Sequence, residues 1–151
     1  MQQYEINKIK KETIGQIKKH ISQLSESDIK AIKKKLNSVN INNIHISQHA
    51  FNHVKLDYKD IKKCFSSYDI IEFNITYYNT IPKYRVLIRS KDCISTVCDN
   101  KLIKAQICIV YDMTENIVIS VYLNDKNDKH NTLNPDRYDY KISVGVSKLL
   151  C

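Results

Sequence analysis

The spacing of apolar residues predicts helices in the first part of the chain. Isoleucines recur at intervals near three and four over residues 4–22, with lysines between them, which predicts an amphipathic helix. A second helix is predicted from Ser25 to about Asn37, because a Ser and an Asp three residues apart form a capping-box pattern before an apolar stripe. Two shorter helices are predicted over 48–54 and about 57–66, after an Asn-rich connector.

From Tyr68 onward the pattern becomes that of β-strands, rich in Ile, Val and Tyr. Strands are predicted over residues 69–76, 83–89, 92–96, 102–111 and 117–123. Residues 112–116 read as the turn of a hairpin. Residues 124–139 read as a polar loop, and 140–146 as a last strand or a docked tail. No crossover helices separate the strands, so we predict an α+β fold, with helices followed by a four- to five-stranded antiparallel sheet.

The charge of the chain is concentrated in its first half. The net charge is +8, and residues 1–63 hold 13 Lys and 6 acidic residues, whereas residues 64–151 hold 11 basic and 10 acidic ones. We therefore divide the chain into a basic helical extension of two helices, 1–44, and an α+β domain, 45–151. A one-sided basic surface favours nucleic acid or an acidic protein partner, although Lys-rich helices are also ordinary solvated surfaces. The candidate nucleic-acid-binding lysines are Lys33, Lys34, Lys35 and Lys55.

Composition excludes several classes of protein. With 2 Gly in the chain there is no Gly-rich phosphate loop. The five Cys include no C-x-x-C pair and fit reduced thiols in a cytoplasmic protein; Cys93 and Cys98 lack the second pair that a zinc site needs. The N-terminus has no apolar signal core, and no run approaches the roughly 20 apolar residues that a bilayer requires. We expect no membrane association, no metal and no cofactor.

The stretch from Ser47 to His53 holds the most specific candidate chemistry. Ser47 can cap a helix on which His49 and His53, at spacing i, i+4, share one face. Imidazole is suited to proton transfer near neutral pH, so both are candidate acid–base groups. As a metal pair they would need a third ligand, for which His45 is poorly positioned. The alternative is that they are ordinary surface or core histidines.

Two strands add candidate partners for these histidines. Arg85 and Arg89 share one strand face and can bind a phosphate, with Arg89 also a candidate for nucleic-acid binding. Ser120 and Tyr122 flank Val121 and share a face, so their hydroxyls are candidates to meet the His-bearing helix. Several tyrosines suit base stacking or, equally, a sheet and core: Tyr84, Tyr111, Tyr122, Tyr138 and Tyr140.

These motifs resemble a known protein family. The sequence Ile46-Ser47-x-His49-Ala50-x-x-His53 is similar to the I-S-x-H-A-x-x-R motif that opens a small bacterial and phage family, and Ile119-Ser120-Val121-Tyr122 is similar to its final strand. The intervening pieces Tyr58-x-Asp60-Ile61, Ile70-Ile71-Glu72 and the 84–88 strand also fit. The family looks like the wider group that includes RelE-type toxins, BrnT and the barnase–EndoU–colicin ribonucleases. The resemblance covers about residues 45–124.

The resemblance implies two helices on a four-stranded antiparallel sheet and metal-independent RNA cleavage, in which the 2′-hydroxyl attacks the neighbouring phosphate. It assigns His49 to the motif His, Ser120 and Tyr122 to the final strand, and Arg85 or Arg89 to the phosphate. Where the family has Arg, this chain has His53, so one permanent cation is missing from the pattern.

Three functions stay open at this point. The first is an RNA-directed toxin-like domain from a phage or mobile element, with endoribonuclease activity left open. The second is a non-catalytic binding or regulatory protein that presents basic helices to nucleic acid or to an acidic partner, such as an antitoxin or immunity protein. The third is self-association through the N-terminal helices.

Overall fold

The computed structural model describes residues 14–53, 57–98, 100–125, 138–139 and 145–150. Within these ranges the elements, in chain order, are β1 (Ile14–His20), α1 (Glu26–Asn37), β2 (His45–Ile46), α2 (Gln48–His53), α3 (Tyr58–Cys64), β3 (Tyr68–Tyr78), β4 (Ile81–Cys98), β5 (Lys101–Asp112), β6 (Ile117–Asp125) and α4 (Val146–Leu149). The strands form one six-stranded sheet in the order β1-β3-β4-β5-β6-β2. Every pair is antiparallel except β2 with β6, which is parallel. The predicted α+β class is confirmed.

The first described element differs from the prediction. Residues 14–20, predicted as part of a helix, form strand β1, in which Ile17 lies opposite Ile75 of β3. Gly15 weakens a helix, and β1 pairs the backbone groups along the edge of β3, so strand pairing outweighs the helical spacing. The predicted order of helices first is therefore wrong, and the sheet has six strands instead of four or five. Residues 4–13 of the predicted helix lie outside the described residues.

The three other predicted helices are present in the structure. At the start of α1 the Ser25 hydroxyl accepts a hydrogen bond from the Asp28 N–H at 3.2 Å, and the Asp28 carboxylate accepts one from the Ser25 N–H at 3.4 Å. This reciprocal pair is the predicted capping box, and it fixes where the helix begins. Asp57 stands at the N-cap of α3 but makes no side-chain capping bond.

The predicted strands over 83–89 and 92–96 are one continuous strand, β4, with an irregularity in its pairing between Arg89 and Cys93. A bulge bends a strand without ending it, which explains why the sequence pattern appeared broken there. The predicted hairpin between β5 and β6 is confirmed, and Asn116 in its turn has φ 57°. Of the predicted tail, residues 140–144 lie outside the described residues, while 146–149 form the short helix α4.

The helices pack against one face of the sheet, here called the inner face. Buried residues of α1, α2, α3 and α4 form one cluster with Phe73, Val86, Ile109 and Val121. Ile17, Ile32 and Leu36 belong to the same cluster, so the described part of residues 1–44 shares its core with the rest of the chain. A second, smaller cluster of Ile71, Leu87 and Cys108, with Val110 and Tyr122 against it, lies on the opposite side, here called the outer face.

The buried thiol of Cys64 and the buried hydroxyl of Tyr111 predict that the folded protein loses stability at alkaline pH. Burial raises the pKa of the Cys64 thiol from 9.0 to about 12, with Cys108 adding to the effect. Burial, with a smaller contribution from Asp112, raises the pKa of the Tyr111 hydroxyl from 10.0 to about 12. The folded protein keeps these protons at pH values where the unfolded chain has released them. The free energy of unfolding should therefore be unaffected below about pH 9 and fall between about pH 9 and 12.

Urea denaturation at a series of pH values measures this dependence. Tyr111→Phe removes one of the groups whose pKa burial raises, so the free energy of unfolding of the variant should decline less steeply than that of the wild-type protein. A free energy of unfolding that stays constant between pH 9 and 12 would contradict the prediction.

Candidate functional site

Helix α2, which carries His49, is bound to the start of strand β6. The Ser47 N–H donates to the Val118 carbonyl at 2.9 Å, and the Ser47 hydroxyl donates to the Ile119 carbonyl at 2.9 Å. The same hydroxyl accepts from the Ala50 N–H at 3.1 Å, so Ser47 caps α2 as predicted. These three bonds fix the start of the His-bearing helix against β6.

Helix α2 carries both of the predicted histidines, His49 and His53. His49 is exposed, whereas the next residue, Ala50, is buried in the core. The helix therefore turns Ala50 inward and leaves the His49 imidazole accessible to solvent. His53 is the last residue of α2, but its side chain and all of Lys55 lie outside the described residues.

Two of the predicted residues lie in one row across the outer face, which means that they occupy paired positions on neighbouring strands. Arg89, Cys108 and Tyr122 are register partners in β4, β5 and β6. Cys108 is fully buried, and Arg89 and Tyr122 are half-buried on either side of it. Since neighbouring strands lie about 4.8 Å apart, the Cα atoms of Arg89 and Tyr122 are roughly 10 Å apart. Arg89 and Tyr122 therefore lie two strands apart on one face of the sheet.

Ser120 lies one row further along the same face. It is half-buried and pairs with Val110 of β5, which pairs in turn with Leu87 of β4. Ser120 directly follows Ile119, whose carbonyl holds the Ser47 hydroxyl at the start of α2. Ser47 thus joins the start of α2 to β6, but Ala50 places α2 on the inner face, whereas Ser120, Tyr122 and Arg89 lie on the outer face.

Arg85 has partners within the protein. Its Nε donates to the Asp112 carboxylate at 3.2 Å, and its Nη2 donates to the Tyr78 hydroxyl at 2.9 Å. The guanidinium also lies over the Tyr78 ring, 5.4 Å from its centroid. Two donor groups of the Arg85 guanidinium are therefore engaged within the protein.

Asp112 is a residue that the sequence reasoning missed. It is 2% exposed, and one of its oxygens accepts hydrogen bonds from the N–H groups of Thr114 and Glu115, at 2.8 and 2.9 Å. Its other oxygen pairs with Arg85. An Asp at the end of an apolar strand just before a turn is the signal that could have identified it. Asp112 holds the β5–β6 turn to β4.

A second missed pair is His20 and Glu72. They are register partners in β1 and β3, both are buried, and they lie in the same row of the sheet as Leu87, Val110 and Ser120. The ring of Tyr138 packs edge-on against His20, with 5.4 Å between centroids. A Glu inside the apolar run of β3 was a signal for the carboxylate, whereas His20 had no signal because its segment was assigned to a helix.

The tyrosines proposed for base stacking separate into two groups. Tyr111 is 1% exposed, donates its hydroxyl hydrogen to the Asn116 side-chain oxygen, and packs edge-on against Phe65. Tyr84 packs against the main core, and Tyr138 is buried beside His20. Among these, Tyr122 alone combines partial exposure with a position on the outer face. Tyr140 lies outside the described residues.

The lysines of α1 form a separate basic surface. Lys33, Lys34 and Lys35 are all exposed. Lys34 and Lys35 line a cavity of about 250 Å³ between α1 and α4, together with Ser38 and Ser147. Since α1 packs on the inner face, this surface is on the opposite side of the sheet from Arg89 and Tyr122.

The described residues contain no group of three or more His, Cys, Asp or Glu side chains arranged to hold a metal ion. No helix in the described part of the chain is both long enough and apolar enough to cross a bilayer.

The molecule is an α+β protein with a six-stranded, mostly antiparallel sheet. No protein-family model matches it, and no curated protein or solved structure is significantly similar to it.

Proposed function

We propose that this protein binds RNA at the β6 edge of the sheet, beside the start of α2, and cleaves it without a metal, as a toxin-like endoribonuclease. The observation that supports the proposal most is the contact of Ser47 with Ile119, because it joins the His-bearing helix to the strand of Ser120 and Tyr122. The similarity of the Ile46–His53 motif to the RelE, BrnT and barnase–EndoU–colicin group points to the same chemistry.

The proposed roles follow from the chemistry of each side chain. His49 accepts the proton of the ribose 2′-hydroxyl as that oxygen bonds to phosphorus, and gives the proton to the 5′-oxygen as its bond to phosphorus breaks. Arg89, on the outer face, binds a phosphate of the same RNA strand away from the bond that is cleaved. Tyr122 contacts the base or phosphate next to Arg89, and the Ser120 hydroxyl binds a ribose on the same face. The products are a 2′,3′-cyclic phosphate and a free 5′-hydroxyl.

RNA binding is tested by measuring affinity for single-stranded RNA over a range of salt concentrations. Arg89→Gln should weaken binding and lower the slope of log K against log salt by about 0.7, because one phosphate contact is lost from a single strand. Lys91→Gln is the matched control, since Lys91 is exposed two residues further along β4 and its ion pair with Asp69 spans 3.9 Å. Equal effects of the two substitutions would contradict a site at Arg89.

The alternative function is non-catalytic binding through α1 to nucleic acid or to an acidic protein. The exposed Lys33, Lys34 and Lys35 on the inner-face side support it. Charge reversal at these three positions should then abolish activity while His49→Ala leaves it intact. The opposite pattern would support the site at His49.

A further inference from the structure

The β4–β5 hairpin extends past the strand beside it. β3 pairs with β4 only as far as Ser90, whereas β4 and β5 continue together to the Cys98–Lys101 pair. We call residues 93–98 of β4, together with residues 101–106 of β5, the ribbon. Among the described residues, none pairs with residues 93–98 on the side that faces away from β5. A two-stranded ribbon with no further strand beside it is only marginally stable in water, so this open edge favours a partner strand.

The open edge of β4 lacks the features that normally protect a strand edge. Residues 93–98 contain three β-branched side chains and no charged residue, proline or glycine. The irregularity in β4 lies before this segment, between Arg89 and Cys93. Proteins usually place a charge, a proline or a bulge on an exposed edge, because its N–H and C=O groups otherwise pair with another strand. Uncharged segments of this length and composition are typical of strands that pair between chains.

The other strand of the ribbon is different in charge. Lys101 and Lys104 are both exposed on β5. Val97 of β4 and Leu102 of β5 are register partners on the same side of the ribbon and are 69% and 75% exposed. An uncharged backbone edge and an exposed apolar side chain therefore occur together on β4 alone.

We infer that residues 93–98 of β4 are a self-association site, at which they pair antiparallel with the same residues of a second copy of the chain. Two identical antiparallel strands related by a twofold axis form a self-complementary interface, and the two sheets join into one. Ser95 and Val97 of one copy then lie beside Ser95 and Val97 of the other. The inference does not depend on the proposed function.

The distribution of charge favours a second copy as the partner and β4 as the strand that pairs. Like charges placed opposite each other on neighbouring strands are destabilising. Self-pairing of β4 brings no charges together across the axis, whereas self-pairing of β5 would bring Lys101 and Lys104 of the two copies together. A single pair of short strands is a small interface, so the dimer forms and dissociates with protein concentration.

Sedimentation of the full chain at increasing protein concentration tests the inference. The wild-type protein should pass from monomer to dimer below about 1 mM, the weak end of specific affinities. Ser95→Lys and Val97→Lys should each raise the dissociation constant by about tenfold, because each places like charges on both sides of the twofold axis. Both side chains are exposed, so the variants should keep the melting temperature of the wild-type protein.

Leu102→Lys is the matched control. It adds the same charge on the same side of the ribbon, but one strand further from the second copy, so the dissociation constant should not change. Equal weakening by Leu102→Lys and Val97→Lys would overturn the inference, because it would indicate contact between ribbon faces instead of strand pairing. A wild-type protein that remains monomeric at about 1 mM would also overturn it, as would a dimer that neither β4 substitution weakens.

Amide hydrogen exchange provides a second measurement. Protection of the amides of residues 95–98 should increase with protein concentration in the wild-type protein and stay constant in Val97→Lys. A dimer in which these amides gain no protection would contradict pairing at this edge.

Discussion

Replacement of His49 by Ala should reduce the rate of RNA cleavage by about 10²- to 10⁴-fold, the usual contribution of a general acid or base. The reason is that His49 is the accessible proton carrier on the helix that Ser47 holds against β6. Cleavage of a fluorescent RNA in the presence of EDTA measures the rate. RNA affinity should change much less than rate, because the proton transfer occurs only during the reaction.

Gln48→Ala is the control for this substitution. Gln48 is exposed on the same helix, one residue away, so its replacement tests any effect on α2 itself. Tyr122→Phe should have a smaller effect than His49→Ala, since it keeps the ring and removes only the hydroxyl. A cleavage rate that is the same in His49→Ala and the wild-type protein would rule out the catalytic role of His49.

Replacement of Asp112 by Ala should lower the free energy of unfolding by about 3–5 kcal/mol, the usual cost of removing one partner from a buried ion pair. Arg85, whose side chain is 16% exposed, would be left without its carboxylate, and two N–H groups of the β5–β6 turn would lose their acceptor. The midpoint and slope of urea denaturation, followed by circular dichroism, give the free energy.

Asp69→Ala is the matched control, because Asp69 forms an ion pair with Lys91 in which both side chains are more than half exposed. Such surface pairs contribute about 0–1 kcal/mol, so this variant should be nearly as stable as the wild-type protein. If Asp112→Ala proved as stable as Asp69→Ala, the Arg85–Asp112 pair would not be the bond that secures the turn.

Local patterns predicted the parts of the fold that depend on neighbouring residues. The capping box of Ser25 and Asp28, the Ser47 cap and the β5–β6 turn each involve residues within three or four positions of one another. β1 was missed because its structure depends on β3, more than 50 positions away along the chain. Isoleucines at helical spacing cannot reveal a partner at that separation, and pairing with a sheet edge outweighs weak helix propensity.

For the candidate site, too, the sequence predicted what depends on one strand and not what depends on contacts between strands. Alternation within a strand predicts that Arg85 shares a face with Arg89, and Ser120 with Tyr122. It does not predict that Arg89 and Tyr122 share a row, since this depends on the registers of two strand pairs. Nor does it predict that Asp112 and Tyr78 engage Arg85, because these partners come from two other strands.

The parallel pairing of β2 with β6 has a consequence for the order of folding. His45 and Ile46 pair with Ile117 and Val118, so the segment before α2 finds its partner only after more than 70 further residues have been synthesised. Contacts with such a large sequence separation form late, because a long loop must close first. On the ribosome, the His-bearing helix cannot be anchored until β6 has emerged. A nascent or truncated chain that lacks β6 therefore has every residue of the His motif but not the strand that holds its helix.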